Sequence, residues 1–254
     1  MRQDNEKIYI YGKHALNEAL LNAPRTVKKV FLSGEAGDPE LRNLINKHGI
    51  PITPLKEKES ARMVGWDASH QGVIAIVDSS ALLIDFKDFI SELNPTTDTA
   101  LVLLDELNDP HNVGAIIRSA VAFGASGVLI PPHNQAQITG AVVKASVGMV
   151  FSIPIVSIGN VNQTVKSLQE IGFRAYGLAM GGKRSISKER FDAPTLFIVG
   201  NEAEGIREKT LEHCDVILRI PMNPKCESLN ASVSAAIVLY QWSVEHTNAL
   251  KQNG

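Results

Sequence analysis

Apolar positions along the chain follow two different rhythms, and the change between them divides the sequence. Ala15, Leu16, Ala19 and Leu20 recur at helical spacing, and the run at residues 27–32 reads as a strand closed by Ser33-Gly34. Residues 39–48 read as a helix that Gly49 stops, followed by a short strand at 50–55 and a charged helix near 57–64. Residues 72–77 are β-branched and apolar enough for a buried strand, while residues before Gly12 read as a polar lead. Beyond residue 100 the pattern alternates. The continuous apolar run at 101–104 suits a strand buried on both faces of a parallel sheet. A helix is expected at 112–123, strands at 127–130 and 153–158, and a helix at 161–171. Strands at 173–178, 195–199 and 216–220 then lead into a long final helix at 228–245. Alternation of this kind predicts an α/β fold built on a mostly parallel, doubly wound sheet.

The breaker-rich Asn94-Pro95-Thr96-Thr97-Asp98, preceded by a modest amphipathic stretch at 86–93, marks a boundary. The expected organisation is a small α/β domain at 1–78, a linker at 79–99 and a larger α/β domain at 100–254.

Composition narrows the function only by exclusion. No stretch reaches the roughly 18 consecutive apolar residues of a membrane span, and the polar start lacks the apolar core of a secretion signal, so a cytoplasmic protein is expected. Cys214 and Cys226 form no metal-ligand pairing, so no metal site is expected and the thiols should be free. A formal net charge of −2 offers no global footprint for nucleic acid. The chain has no G-x-G-x-x-G fingerprint, P-loop, G-x-S-x-G elbow or H-E-x-x-H helix, which removes the commonest nucleotide-binding and hydrolase classes.

Three segments carry candidate chemistry. The first, 105–124, begins Asp105-Glu106-Leu107-Asn108-Asp109-Pro110-His111-Asn112-Val113-Gly114, where a strand ends and a helix begins, the edge at which open α/β sheets bind ligands. Val113, Ile116, Ile117 and Ala120 form its apolar stripe, leaving Arg118 on the opposite side. The second, Gly200-Asn201-Glu202-Ala203-Glu204-Gly205, is a glycine-bounded acidic loop after a strand. Its glycines permit close approach of backbone to a ligand, and its acids suit a cationic or hydroxyl-bearing ligand better than a phosphate. The third runs through Ile220-Pro221-Met222 into Ser228-Leu229-Asn230-Ala231-Ser232-Val233-Ser234, more small polar residues than one helix cap requires.

Together, in order and spacing, these segments resemble the signature motifs of the SpoU (TrmH) family of RNA ribose methyltransferases, within the SPOUT superfamily; the likeness covers about 101–242. Residues 9–77, with Gly12-Lys13-His14-Ala15-Leu16 and His70-Gln71-Gly72, are similar to the family's L30-like N-terminal substrate-binding domain. The resemblance implies a trefoil knot near the C-terminus, a homodimer, and S-adenosyl-L-methionine as cofactor. It implies transfer to a ribose 2′-OH, with likeness greatest to members acting on a guanosine of 23S ribosomal RNA. Transfer RNA as substrate, or an inactive RNA-binding or ribosome-assembly factor, stand as alternatives. Carried over, the catalytic residues are Asn112, Arg118, Glu202, Ser228 and Asn230, and the cofactor contacts are Leu178, Gly200, Ile220 and Leu229. The chain departs from the family's pattern at Pro224, where a glycine is usual, and at Ala231 and Ser234.

The family's arginine, here Arg118, is often assigned as the base, but a guanidinium has a pKa above about 12. Gripping an RNA phosphate and orienting the ribose suits it better. Lys13 and His14 in the first domain, and Lys183, Arg184, Lys188 and Arg190 in the second, are the expected RNA contacts.

Overall fold

A computed structural model describes residues 7–34, 36, 38–201 and 204–251. In chain order its elements open with β1 (Lys7–Tyr11), α1 (Lys13–Asn22), β2 (Val27–Leu32), α2 (Pro39–Lys47), β3 (Ile52–Pro54), α3 (Glu57–Val64) and β4 (Val73–Asp78). There follow β5 (Leu83–Asp85), α4 (Phe86–Glu92), β6 (Ala100–Asp105), α5 (Pro110–Ala122), β7 (Gly127–Ile130), α6 (Gly140–Ala145) and β8 (Ile155–Ser157). The chain continues through α7 (Val161–Glu170), β9 (Arg174–Leu178), β10 (Arg184–Ser185), β11 (Thr195–Gly200), α8 (Glu208–Leu211), β12 (Val216–Arg219) and α9 (Ala231–Glu245). No helix among the described residues is long and apolar enough to cross a membrane.

Two compact units result: residues 1–83 with 137–152, and residues 84–136 with 153–254. The first holds a four-stranded sheet of order β1-β4-β2-β3. Strand β4 pairs antiparallel with β1 and β2, and β2 pairs parallel with β3. The helical stripe of α1 buries Ala15, Leu16, Ala19 and Leu20, as its spacing requires. Within the stretch read as a polar lead, Lys7–Tyr11 forms β1. Its alternation is concealed in the sequence because Tyr9 and Tyr11 lie on the face opposite the buried Ile10.

The expected boundaries shift in two places. Segment 137–152 belongs to the first unit, where Val142, Val143 and Val150 are buried and Ser152 Oγ accepts from Asn22 Nδ2 at 3.1 Å. The stretch expected as a linker is structured: β5 edges the larger sheet, and Phe86, Phe89, Ile90 and Leu93 pack against that unit's core. These apolar side chains gain more from burial than a linker would allow.

The second unit is an eight-stranded sheet of order β10-β12-β9-β11-β6-β7-β8-β5. The pairings from β10 through β8 are parallel. Every residue of β6 is buried, as its unbroken apolar run predicted. After β8 the chain returns across the sheet, so that β11 lies between β9 and β6. The strand order thus reverses at β6, and the carboxyl ends of β12, β9, β11 and β6 lie side by side.

Candidate active site

A cavity of about 360 Å³ opens at that edge, within the range of roughly 300–1,000 Å³ typical of small-ligand pockets. All four residues expected at the cofactor line it: Leu178 ends β9, Gly200 ends β11, Ile220 follows β12, and Leu229 precedes α9. Ile206, Leu211, Leu218 and Met222 make much of the wall apolar. Ser228 lines the cavity too, as do Ala231 and Ser234, so two of the chain's departures from the family pattern face this space. Pro224 is exposed in the segment before α9, where Cys226 N donates to Asn223 O at 2.9 Å.

Glycine is required where the chain folds closest on itself. A Cβ on Gly200 would run into the backbone of Gly205 and Ile206, and one on Gly182 would come within 2.6 Å of the Leu218 carbonyl carbon. These approaches leave no room for a side chain at either position, and Gly200 and Gly205 both line the cavity.

Motifs one and three meet through their asparagines. Asn112 is buried in the first turn of α5, and its Oδ1 accepts from Asn230 Nδ2 at 2.9 Å. Asn230 is the N-cap of α9 as well: its Oδ1 accepts from Ser232 N at 2.8 Å and Ser232 Oγ at 2.6 Å. One asparagine therefore satisfies an orphan amide of the helix and fixes α9 against α5. Ser228 and Asn230 are exposed. Arg118 is exposed on α5 and makes no hydrogen bond or ion pair with another described residue. Glu202 lies outside the described residues.

A network that the sequence did not disclose holds the loop of the second motif. Asp105, at the end of β6, is fully buried, and its Oδ1 accepts from Arg207 Nε at 3.0 Å and Nη2 at 2.6 Å. Arg207 Nη1 pairs with Glu106 at 3.1 Å, and the Glu106 carbonyl accepts from Asn201 Nδ2 at 2.9 Å. Glu106 itself adopts φ 62, a left-handed conformation that costs a non-glycine residue on the order of 1–3 kcal/mol. Strain at the carboxyl end of a central strand, clamped by an arginine fork, fits a site that must present fixed backbone groups. Arg207→Ala should strip the buried Asp105 of its guanidinium partner, leaving it the amide of residue 207, and destabilise the protein by about 2–4 kcal/mol. Thermal unfolding checks this, and an unaltered midpoint would assign the fork no structural weight.

The expected RNA contacts separate. Lys13 and His14 are both exposed near the start of α1, with Lys13 in a surface pair with Asp38 at 3.6 Å. Lys183, Lys188 and Arg190 are exposed in the second unit, whereas Arg184 pairs with the buried Glu189 at 2.5 Å. The charge of Arg184 is engaged within the protein. Both cysteines are free thiols; burial, then Asp215 and Asp105, push Cys214 up to about 12, so it stays protonated and inert.

Comparison with known proteins agrees with this geometry. Residues 99–240 match the model of the SpoU rRNA Methylase family, and residues 9–82 match that described as RNA 2′-O ribose methyltransferase substrate binding. The 23S rRNA (guanosine-2′-O-)-methyltransferase RlmB of Pseudomonas putida is 34% identical over 235 residues, covering 91% of this chain and 94% of the relative. That of Neisseria meningitidis is 31% identical over 91% of this chain and 92% of its own length. Among solved structures, the SpoU methyltransferase AviRb from Streptomyces viridochromogenes, in complex with the cofactor AdoMet, superposes with a TM-score of 0.81. It is 25% identical, and the match covers 95% of this chain and 91% of AviRb. With its three motifs gathered at one sheet edge and its relatives matched nearly end to end, the chain belongs to the SpoU rRNA methylase family.

Proposed function

We propose that the protein transfers a methyl group from S-adenosylmethionine to a ribose 2′-OH of RNA, with a guanosine of 23S ribosomal RNA as its substrate. The observation that carries this reading is the cavity at the carboxyl ends of β9, β11 and β12, which brings together residues of the second and third motifs. The Asn112–Asn230 bond joins the first motif to the third.

The cavity suits the cofactor in chemistry as well as size. Apolar walls at Leu178, Ile220 and Leu229 suit an adenine ring, and the backbone rim at Gly200 offers its amide and carbonyl groups to the polar parts. Bound there, S-adenosylmethionine supplies an electrophilic methyl carbon on a sulfonium. The protein's part is positioning, which can account for several kcal/mol of a barrier. Ser228 and Asn230 contact the substrate and fix the loop before α9, and Asn112 and Glu202 are assigned to holding the loop geometry or the ribose. Arg118 grips the adjoining phosphate with its planar fork, leaving a phosphate oxygen or a neighbouring group to take the hydroxyl proton.

Three further features belong to this reading. The close passage of Gly182 against the backbone of Leu218 and Arg219 supports a trefoil knot through the β9–β12 region, a topology rare among folds. The groove between α5 and α9, with Val233 and Tyr240 exposed, supports a homodimer through these helices. The N-terminal unit is assigned to RNA binding on an L30-like scaffold, and the protein to the cytoplasm.

Methyl transfer from labelled S-adenosylmethionine to 23S ribosomal RNA and to bulk transfer RNA, followed by nucleoside mass analysis, tests the function. The expected product is 2′-O-methylguanosine in the 23S RNA. Label confined to transfer RNA overturns the substrate, and failure to bind the cofactor overturns the enzyme.

A further inference from the structure

Trp66 has the highest exposure of any large apolar side chain among the described residues, at 86%. Tryptophan carries so much apolar surface that exposure on this scale points to a partner. The indole sits in the turn between α3 and β4, and that turn is firmly built. Val73 N donates to His70 O at 2.8 Å, Gly72 N donates to His70 Nδ1 at 3.0 Å, and Gln71 holds a left-handed φ of 51. These bonds close the C-terminal end of the loop that carries the ring.

The surroundings suggest what it meets. Tyr9 and Tyr11 share one face of β1, and Tyr9 is 38% exposed. The Lys144 ammonium, contributed by α6, lies 5.4 Å from the centre of the Tyr11 ring. The Tyr11 hydroxyl and then Asp67, the residue after Trp66, hold the pKa of Lys144 above its ordinary value, so its positive charge is secure. Across the sheet Tyr9 is followed in register by Ile76 and Lys29, and the Lys29 ammonium stands 4.9 Å over the Phe31 ring. Phe31 is buried, but the partly exposed tyrosine rings beside the Lys144 and Lys29 ammonium groups complement a ligand with flat faces and negative charge. Bases of a single strand offer both, whereas a duplex hides its base faces.

We propose that Trp66, with Tyr9, Tyr11 and Lys144, forms a stacking platform for an unpaired nucleotide of the RNA substrate. This rests on the reading of the chain as an RNA methyltransferase and goes beyond it, because it assigns recognition of single-stranded RNA to named residues far in sequence from the motifs. Lys144 belongs to the segment at 137–152, so the platform draws on both matched regions of the sequence.

The protein carries its own probe. Its only tryptophans are Trp66 and Trp242, and Trp242 is fully buried, stacked on His246 with centroids 4.8 Å apart. Titrating the full-length chain with an adenine- and uridine-rich single strand should quench the exposed emission saturably, while the same strand annealed to its complement should not. Trp66→Ala should weaken single-strand binding on the order of tenfold and raise the KM for RNA at unchanged kcat. Trp66→Phe should restore most of the affinity. Absence of quenching, or an unchanged Kd in Trp66→Ala, would overturn the platform and leave the indole to a protein partner. Loss of methyl transfer in wild type, with Trp66-dependent quenching intact, would overturn the enzymatic reading and leave the platform standing.

Discussion

Gly200→Ala is expected to lower affinity for S-adenosylmethionine by at least roughly tenfold and to lower stability by about 1–3 kcal/mol, the usual cost of an overpacked site. The added methyl would meet the carbonyl group of Gly205 and the amide of Ile206. Backbone cannot rotate aside as a flexible side chain can. Asn201 and Gly205 exchange backbone bonds at 2.9 and 3.0 Å, so the loop opposite Gly200 is already closed on itself. Relief must come from moving β11 away from this loop, and β11 is paired on both sides, with β6 and β9. The cheaper escape is to push Gly205 and Ile206 outward, which distorts the rim of the cavity that Gly200, Gly205 and Ile206 line. Gly159→Ala provides the control, because a Cβ there meets nothing within 4 Å and the backbone is not left-handed. That substitution should be neutral or slightly stabilising. Calorimetric titration of both variants with the cofactor gives the comparison, and equal affinities would show that the rim is not a binding surface.

Much of this site was legible because it obeys local rules. A strand buried on both faces must be apolar throughout, and residues 101–104 are; a small polar residue ahead of an apolar helical stripe is a cap, and Asn230 caps α9. Arg207 was not legible, since its partner Asp105 lies 102 positions away and nothing beside it differs from an ordinary charged helix start. Segment 137–152 was opaque for a similar reason. Its helix is short, and its apolar residues carry no sign of the surface they bury against; Gly140 is explained by the Tyr9 carbonyl beside it. Trp66 shows the converse. By sequence alone a tryptophan after a helix is indistinguishable from a core residue, and only its exposure separates the two. The pairing of Arg184 with the buried Glu189 was equally hidden, since nothing in the sequence around a loop cation shows which carboxylate faces it.

Arg118→Lys should reduce kcat on the order of a hundredfold, since misplacing a reacting group by even an ångström costs about that much. The same change should leave unfolding within about 0.5 kcal/mol of wild type. The second half follows from structure: Arg118 is exposed and holds no described residue, so folding does not depend on its guanidinium. The buried residues of α5, Asn112, Val113, Ile116, Ile117 and Ala120, already anchor that helix. The first half follows from chemistry. Lysine keeps the charge but loses the planar fork that fixes a phosphate in two directions, so electrostatic attraction should survive while orientation is lost. The KM for RNA should therefore change less than kcat, and cofactor affinity should not change. A general base gives a different pattern. A lysine ammonium releases its proton more readily than a guanidinium, so Arg118→Lys would retain activity and gain it as pH rises. Steady-state kinetics of the variant from neutral to alkaline pH separates the two. A low, pH-independent kcat supports phosphate orientation, while recovery at high pH would return the proton to residue 118.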